Sequence, residues 1–430
     1  MEEVLQSIKP RAILAAAQLF GTSDDAFACG MEELKGLAEA CNLEPVAQVT
    51  QKLNNADIAT LIGSGKVQEI KEMVYAHDAQ TVVFNNALTP SQLANLANQL
   101  ECEVLDRTGL ILQIFSERAR TREAKMQVEY ARLQYMMPRL VGLRANLSRQ
   151  GGTGGSMSNR GAGEKKIELD RRHIEKEMAA LRRNLKELEQ TRLTQRQKRA
   201  GSGMPRIALV GYTNAGKSTL MNAMIDRYCP DEEKKVMVRD MLFATLDTTV
   251  RKITPDGHRE FLLSDTVGFI NDLPTNLVQA FHSTLEEALE ADLILEVIDS
   301  TDPDRDMHQQ VTEKTLADLG AGHLPLIRVM NKADGRYPKE DLPVIHTDKI
   351  FISAREGLGL DELLKMIDDK LEAQSITCTM LIPYTQAQAE HVLRSAARVI
   401  STEYTGEGIR MEVVVSNELC SRYKDFVVWE

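Results

Sequence analysis

The chain has little that would staple or anchor it. Its 430 residues include six cysteines, at positions 29, 41, 102, 229, 378 and 420, with no close pairing. That spacing argues against a disulfide framework and a structural zinc site, and predicts a reducing, cytoplasmic setting. No apolar run approaches the roughly 20 residues needed to cross a bilayer. The N-terminus lacks the basic, apolar, small-residue order of a secretory signal. An overall positive charge is missing too. Against 63 Asp and Glu stand 52 Lys and Arg, for a net charge of −11. That balance alone disfavours a nucleic-acid partner. A monomer is expected.

The charge that is present is unevenly placed. From Arg118 to Arg206 there are 22 Lys and Arg against 9 Asp and Glu. A basic stretch inside an acidic chain suggests one surface built for a polyanion. Length alone predicts several domains. Over residues 1–116, apolar runs such as RAILAAAQL and QTVVFNNAL alternate with helical stretches, including MEELKGLAEAC and SGKVQEIKEMVYAHD. TPSQLANLANQLE reads as a helix capped by Thr89 with Pro90 at its first position. CEVLDRTGLIL reads as a further strand and turn. This alternation predicts a small α/β unit with parallel pairing.

Residues 117–200 read as an antiparallel helical hairpin. Met126, Tyr130, Leu133, Met137 and Leu140 form one seam; Ile167, Ile174, Met178, Leu181, Leu185 and Leu188 form the other. Their spacing of three and four is that of helices packed as a coiled coil. Pro138 is expected to kink or end the first helix. The tip, residues 150–163, holds five glycines between Gly151 and Gly161 and reads as a flexible loop. Helices of about 20 residues would give an arm of about 30 Å. Residues 373–430 read strand, helix, strand, a small α+β domain.

The chemistry lies between, in residues 201–372. Gly211, Tyr212, Thr213, Asn214, Ala215, Gly216, Lys217 and Ser218 match G-x-x-x-x-G-K-[ST], with Thr219 next. The apolar strand RIALV precedes the motif and a helical stretch follows it, the context a P-loop requires. The glycines let backbone N–H groups face phosphates at a positive helix N-terminus. Lys217 would reach the β- and γ-phosphates, and the Ser218 hydroxyl would bind Mg²⁺. Asp265, Thr266, Val267 and Gly268 end an apolar run. There Asp265 can serve Mg²⁺ through water, and Gly268 can bring its N–H to the γ-phosphate. Asn331, Lys332, Ala333 and Asp334 follow the strand LPLIRVM. The Asp334 carboxylate can accept from two guanine donors that adenine lacks. Ser353 and Ala354, followed by Arg355, can offer a backbone N–H to guanine O6. Together these motifs predict a Ras-like P-loop domain with a mostly parallel sheet, binding GTP and GDP with Mg²⁺.

Within MLFATLDTTVRKI, one of Thr245, Thr248 or Thr249 should close on Mg²⁺ when a γ-phosphate is present. Residue physics leaves the three open. Phe269 stands where many GTPases carry a water-orienting glutamine, so slow unassisted hydrolysis is expected. In some related GTPases an asparagine at the place of Asn214 helps bind a monovalent cation, so K⁺ is a candidate second ion.

Several segments together resemble the HflX family of ribosome-associated GTPases: DRTGLILQIFSERARTREAKMQVE, RGAGEKKIELDRR, GYTNAGKSTLMNA, LFATLD, LSDTVGFINDLP and LIGSGKVQEI. The resemblance covers most of the chain up to about Ala373. It implies an N-terminal α/β unit, a helical hairpin and a G domain. It also implies binding to the large ribosomal subunit and GTP-dependent splitting of stalled or stressed ribosomes. Within Phe243, Ala244, Thr245, Leu246 and Asp247, the resemblance selects Thr245 as the Mg²⁺ threonine. Lys217, Thr245 and Gly268 then form the catalytic set, and Ser218, Thr245 and Asp265 the metal set. The hairpin tip is implied to reach toward the peptidyl transferase centre. Arg160, Lys165 and Lys166 at the tip, with Arg171, Arg172, Arg182 and Arg183 along the arm, are the candidate contacts to ribosomal RNA. An assembly or hibernation factor timed by hydrolysis is the alternative reading. An ATP-driven RNA remodeller is a further one, resting on IGSGKV around Lys66.

Overall fold

A computed structural model of the chain describes residues 9–150, 157–200, 204–229, 242–243, 248–271, 288–373 and 375–428. The chain divides into two compact units. The first holds residues 1–187 with Leu242 and Phe243, and the second holds most of the rest.

The first unit begins with β1 (Arg11–Leu19), α1 (Asp24–Ala40), β2 (Glu44–Leu53) and α2 (Ser64–His77). It continues with β3 (Thr81–Phe84), α3 (Pro90–Leu100), β4 (Glu103–Asp106) and α4 (Arg107–Arg118). All four strands are parallel, in the order β2-β1-β3-β4. β1 is buried at seven successive positions because helices cover both faces of a parallel sheet. α3 starts at the expected cap: Thr89 and Gln92 form a reciprocal capping box with Pro90 at the first turn. Two elements differ from expectation. β2 is an edge strand, largely half-exposed, so its sequence EPVAQVTQKL carries no apolar run to announce it. GLIL is helical: α4 is buried at every residue from Arg107 through Leu112, so this stretch shows no amphipathic period.

The hairpin consists of α5 (Arg122–Gln150) and α6 (Met157–Ala200). α5 runs through Pro138 without ending there. A proline costs a helix interior about 3 kcal/mol, which a 29-residue helix packed along the unit can absorb. α6 already begins at Met157, so the loop expected over 150–163 is shorter. Gly161 and Gly163 weaken a helix by about 1 kcal/mol each but remove no hydrogen bond. At 1.5 Å per residue, the 29 residues of α5 and the 44 of α6 give helices of about 44 Å and 66 Å, longer than the 30 Å expected. On α6, Ile174, Met178, Leu181, Leu185 and Leu188 are half-buried along the expected seam, while Leu169 is exposed. The side chains of Leu140, Arg160, Lys165, Lys166 and Ile167 lie outside the described residues. Ala124, Val128 and Ala131 of α5 are buried against α3 and α4. Asp106 locks this contact. Its buried carboxylate accepts from Leu88 N (3.1 Å), Gly109 N (2.8 Å), Tyr135 Oη (2.6 Å) and Arg139 Nη2 (3.0 Å).

The second unit carries β5 (Arg206–Val210), α7 (Lys217–Tyr228), β6 (Thr249–Ile253), β7 (Phe261–Asp265), β8 (Leu293–Asp299) and α8 (Arg305–Leu319). It continues with β9 (Leu326–Asn331), β10 (Val344–Ile345), β11 (Lys349–Phe351) and α9 (Leu360–Glu372). The sheet order is β10-β11-β9-β8-β5-β7-β6, parallel except where β6 and β10 join at its edges. Ile207, Leu209, Leu295, Val297, Ile327 and Val329 centre its core. Beyond it, β12 (Ser375–Ile382), α10 (Ala387–Ala396), β13 (Arg398–Tyr404), β14 (Ile409–Ser416), α11 (Asn417–Arg422) and β15 (Val427–Val428) complete the chain. These strands form an antiparallel sheet, β13-β14-β12-β15, two strands more than the expected pair. It closes on Met380, Ile382, Leu393, Met411 and Val413.

Candidate functional site

The candidate site gathers at the C-terminal ends of β5, β7 and β9 and the loop after β11. At such strand ends backbone turns outward and helix N-termini converge. Between β5 and α7 the P-loop is held by two glycines with positive φ, Gly211 at +143° and Gly216 at +96°. A Cβ on Gly211 would lie 2.2 Å from the Val297 carbonyl oxygen, and one on Gly216 2.2 Å from Asn331 Nδ2. Neither position admits a side chain. Asn214 is exposed, with φ +60°.

Lys217 is buried at the start of α7, and its Nζ donates to the carbonyls of Gly211 (2.9 Å) and Tyr212 (2.8 Å). Burial pushes its ammonium down to about 8, opposed by the charge of Asp265. The Ser218 hydroxyl donates to Asp265 Oδ2 at 2.6 Å, so the two expected metal-facing oxygens are adjacent. Asp265 is fully buried at the end of β7. The loop after it lies along the P-loop: Thr213 N–H donates to the Phe269 carbonyl (2.8 Å), and Phe269 N–H to the Gly211 carbonyl (3.1 Å). Phe269 itself is buried, which leaves no side chain at that position to reach solvent.

Asn331 joins three loops. Its Nδ2 donates to the Ala215 carbonyl of the P-loop (3.0 Å), and its Oδ1 accepts from Ala354 N–H (3.0 Å). Lys332 has φ +57°, and its Nζ pairs with Asp299 at 2.8 Å. Asp334 sits half-buried on a single turn, Ala333–Gly335. Ser353 N–H donates to Leu358 O (3.2 Å) and Ala354 N–H to Asn331 Oδ1 (3.0 Å), so both brace the loop. Arg355 is exposed.

Phe243 was expected among the nucleotide loops. Its ring is instead buried in the first unit, edge-on to Phe115 at 4.7 Å, because an apolar ring gains more from a core than from a phosphate site. Ala244, Thr245, Leu246 and Asp247 lie outside the described residues. Thr248 is half-buried and Thr249 opens β6. On the arm, Arg171 and Arg172 pair with Glu175 and Glu168, and Arg183 is exposed. Arg182 donates to Tyr130 Oη at 2.5 Å and so ties α6 to α5.

Residues 29–116 match the model of the GTP-binding GTPase N-terminal family, and residues 118–199 that of the GTP-binding GTPase middle region. Residues 206–332 match the model described as 50S ribosome-binding GTPase. The GTPase HflX of Caldanaerobacter subterraneus subsp. tengcongensis is 43% identical over 430 residues, covering 100% of this chain and 96% of that one. The chain belongs to the HflX family of P-loop GTPases. The GTPase HflX of Lacrimispora saccharolytica is 40% identical over 423 residues, covering 98% and 97%. Among solved structures, a GTP-binding protein of Sulfolobus solfataricus in complex with GDP aligns at a TM-score of 0.44 and 24% identity, covering 85% of this chain and 99% of that one.

Some site residues in this HflX-family chain carried no sequence signal for their part. Asn331 was legible as a member of the guanine motif, but its bridge to Ala215 and Ala354 spans 116 and 23 residues. The stack of Tyr212 on His308, with ring centroids 3.7 Å apart, joins positions no motif connects. Among the described residues no helix is long and apolar enough to cross a membrane.

Proposed function

We propose that this GTPase binds the large ribosomal subunit and uses GTP to split stalled or stressed ribosomes. The observation that carries the reading is the pairing of a guanine-nucleotide site with a long, basic helical arm in one chain. In this reading Lys217 holds the β- and γ-phosphates, and Asp334 reads guanine. Mg²⁺ is held by Ser218, Asp265 and Thr245. The donor set suits that ion, which is usually bound by one or two carboxylates together with substrate phosphates and water. The adjacency of Ser218 and Asp265 supports it. Mg²⁺ supplies charge neutralisation at the phosphates; Lys217 and the P-loop N–H groups supply position. K⁺ at Asn214 is a second expected ion, tested by comparing turnover in potassium and sodium chloride at equal ionic strength.

The arm is the binding element. Its basic excess suits an RNA backbone, and a hairpin of helices about 44 Å and 66 Å long can carry a tip into a cleft that compact domains cannot enter. Arg160, Lys165 and Lys166 at the tip and Arg171, Arg172 and Arg183 along α6 are the proposed RNA contacts. Arg182 contributes through its bond to Tyr130. Sedimentation with ribosomal subunits in GTP, GDP and a non-hydrolysable analogue tests the reading. GTP-dependent association with the large subunit and loss of intact ribosomes are expected. Replacing residues 151–163 by a short neutral turn should leave GTP binding intact and abolish splitting. Splitting at the parent rate would make the arm a spacer. Binding to precursor particles without any splitting of mature ribosomes would favour an assembly factor.

A further inference from the structure

The side chain of Tyr212 has its partners outside the P-loop. Its backbone lies in the P-loop, where its carbonyl accepts from Lys217 Nζ at 2.8 Å. Its ring stacks on His308, in the first turn of α8, with centroids 3.7 Å apart and planes inclined by 12°. Its hydroxyl accepts the backbone N–H of Asn271 at 2.9 Å. His308 is held in turn, with Nδ1 3.0 Å from Asp302 Oδ2. One buried ring thus joins three pieces of chain: the P-loop, the loop that follows β7, and the helix that follows β8.

The loop after β7 is the part of the site that must be placed most accurately. Gly268 sits against the P-loop so closely that a Cβ there would lie 2.8 Å from Thr213 Cα and 3.0 Å from Lys217 Nζ. The next residue, Phe269, has a buried apolar side chain, so it adds no polar group of its own. Among the described residues, the loop is held along the P-loop by Phe269 N–H to Gly211, Thr213 N–H to Phe269, and Asn271 N–H to the Tyr212 hydroxyl. The first two hold the middle of the segment. The third holds its far end, and it is the one made by a side chain.

We propose that Tyr212, backed by His308, is a positioning residue for GTP hydrolysis, fixing the loop from Gly268 to Asn271 so that the Gly268 N–H is aligned with the γ-phosphate. The proposal rests on the P-loop reading of the site. A positioning group of this kind acts on the rate at saturating nucleotide more than on affinity. Its hydroxyl faces Asn271, while the phosphates are assigned to the P-loop N–H groups and the Lys217 ammonium.

Single-turnover and steady-state hydrolysis by the full chain, alongside GDP binding, tests this. Tyr212→Phe keeps the ring and removes only the hydroxyl. Loss of one hydrogen bond predicts a fall in kcat of about 3- to 10-fold, with KM and the GDP dissociation constant changing less than about twofold. His308→Ala should lower kcat in the same direction, and His308→Phe, which restores a stacking ring, should recover most of it. In the double variant Tyr212→Phe with His308→Ala, the losses should be less than multiplicative, since both act on one contact. Parent kcat in Tyr212→Phe overturns the proposal. An equal loss of kcat and GDP affinity also overturns it, because the ring would then merely shape the P-loop. Lys217→Ala, measured beside these, separates the two levels: unchanged nucleotide affinity there would refute the P-loop reading itself, whatever Tyr212 does.

Discussion

Glu296 should make the stability of the second unit depend on pH, and Glu296→Gln should remove that dependence. Glu296 lies in the middle of β8, fully buried, with no hydrogen bond to either carboxylate oxygen. Its cross-strand neighbour is Arg328 on β9. That guanidinium spends its terminal nitrogens elsewhere, on Asp348 at 2.7 Å and Glu313 at 2.9 Å. Only Nε remains near Glu296, at 3.4 Å. Burial first, and the Glu313 charge second, push the Glu296 carboxyl from 4.5 up to about 7, against the pull of Arg328. At about 1.4 kcal/mol per pH unit, that is on the order of 3 kcal/mol. A folded-state value above the unfolded one means the native chain keeps a proton that the unfolded chain has released. The stabilisation is therefore complete below about pH 4.5, declines as pH rises, and is gone above about pH 7. Glutamine resembles the protonated acid at every pH. Relative to the parent, the variant should gain about 3 kcal/mol between pH 5 and pH 8. For a domain of this size that corresponds to roughly 6–12 °C in Tm. Scanning calorimetry would measure it on the full chain, with the relevant transition identified by its upward shift in saturating GDP. Any fixed cost of burying the amide cancels in the comparison between the two pH values. A Tm difference between variant and parent that is the same at pH 5 and pH 8 would refute the reasoning and show that Arg328 neutralises Glu296 outright.

Lys217→Ala should weaken GTP and GDP binding by about 100-fold or more in a fluorescent-nucleotide titration, because a buried cation facing the phosphates is worth several kcal/mol. Asp334→Asn should move preference from GTP toward xanthosine triphosphate, whose 2-oxo group needs a donor; guanine selectivity that survives the change would remove Asp334 from the role of base reader. In the first unit, Asp106→Ala should cost about 3–5 kcal/mol, since it strands Arg139 and three further donors in a buried site. Tyr135→Phe should cost only about 1 kcal/mol. Limited proteolysis of α5 reads this out, and equal cleavage rates in Asp106→Ala and parent would show that the carboxylate is not what holds the arm's base.

The sequence by itself determined whatever depends on short-range covalent spacing. The P-loop was legible because glycine, lysine and serine must occur at fixed intervals for backbone N–H groups to face one point. The helical seam of α6 was legible because Ile174, Met178, Leu181, Leu185 and Leu188 recur at the period of a helix with one buried face. α3 was legible because its cap is a local motif. Only the tertiary structure decided matters that depend on what stands opposite a residue. β2 is an edge strand with a half-exposed sequence, and α4 buries six successive residues from Arg107 to Leu112, so neither shows the alternation that a half-buried element must. The N–H groups of Ser353 and Ala354 brace the loop, and the Phe243 ring enters a core, because partners distant in sequence compete for them. Tyr212 meets His308 across 95 intervening residues. Glu296 looks in sequence like one charge among 63 acidic residues. Its held proton follows from a strand neighbour whose hydrogen bonds are already taken. Spacing along the chain sets which groups can act together locally; solvent exclusion and the supply of partners are set by distant chain, and these fix whether such a group is charged, braced or free to react.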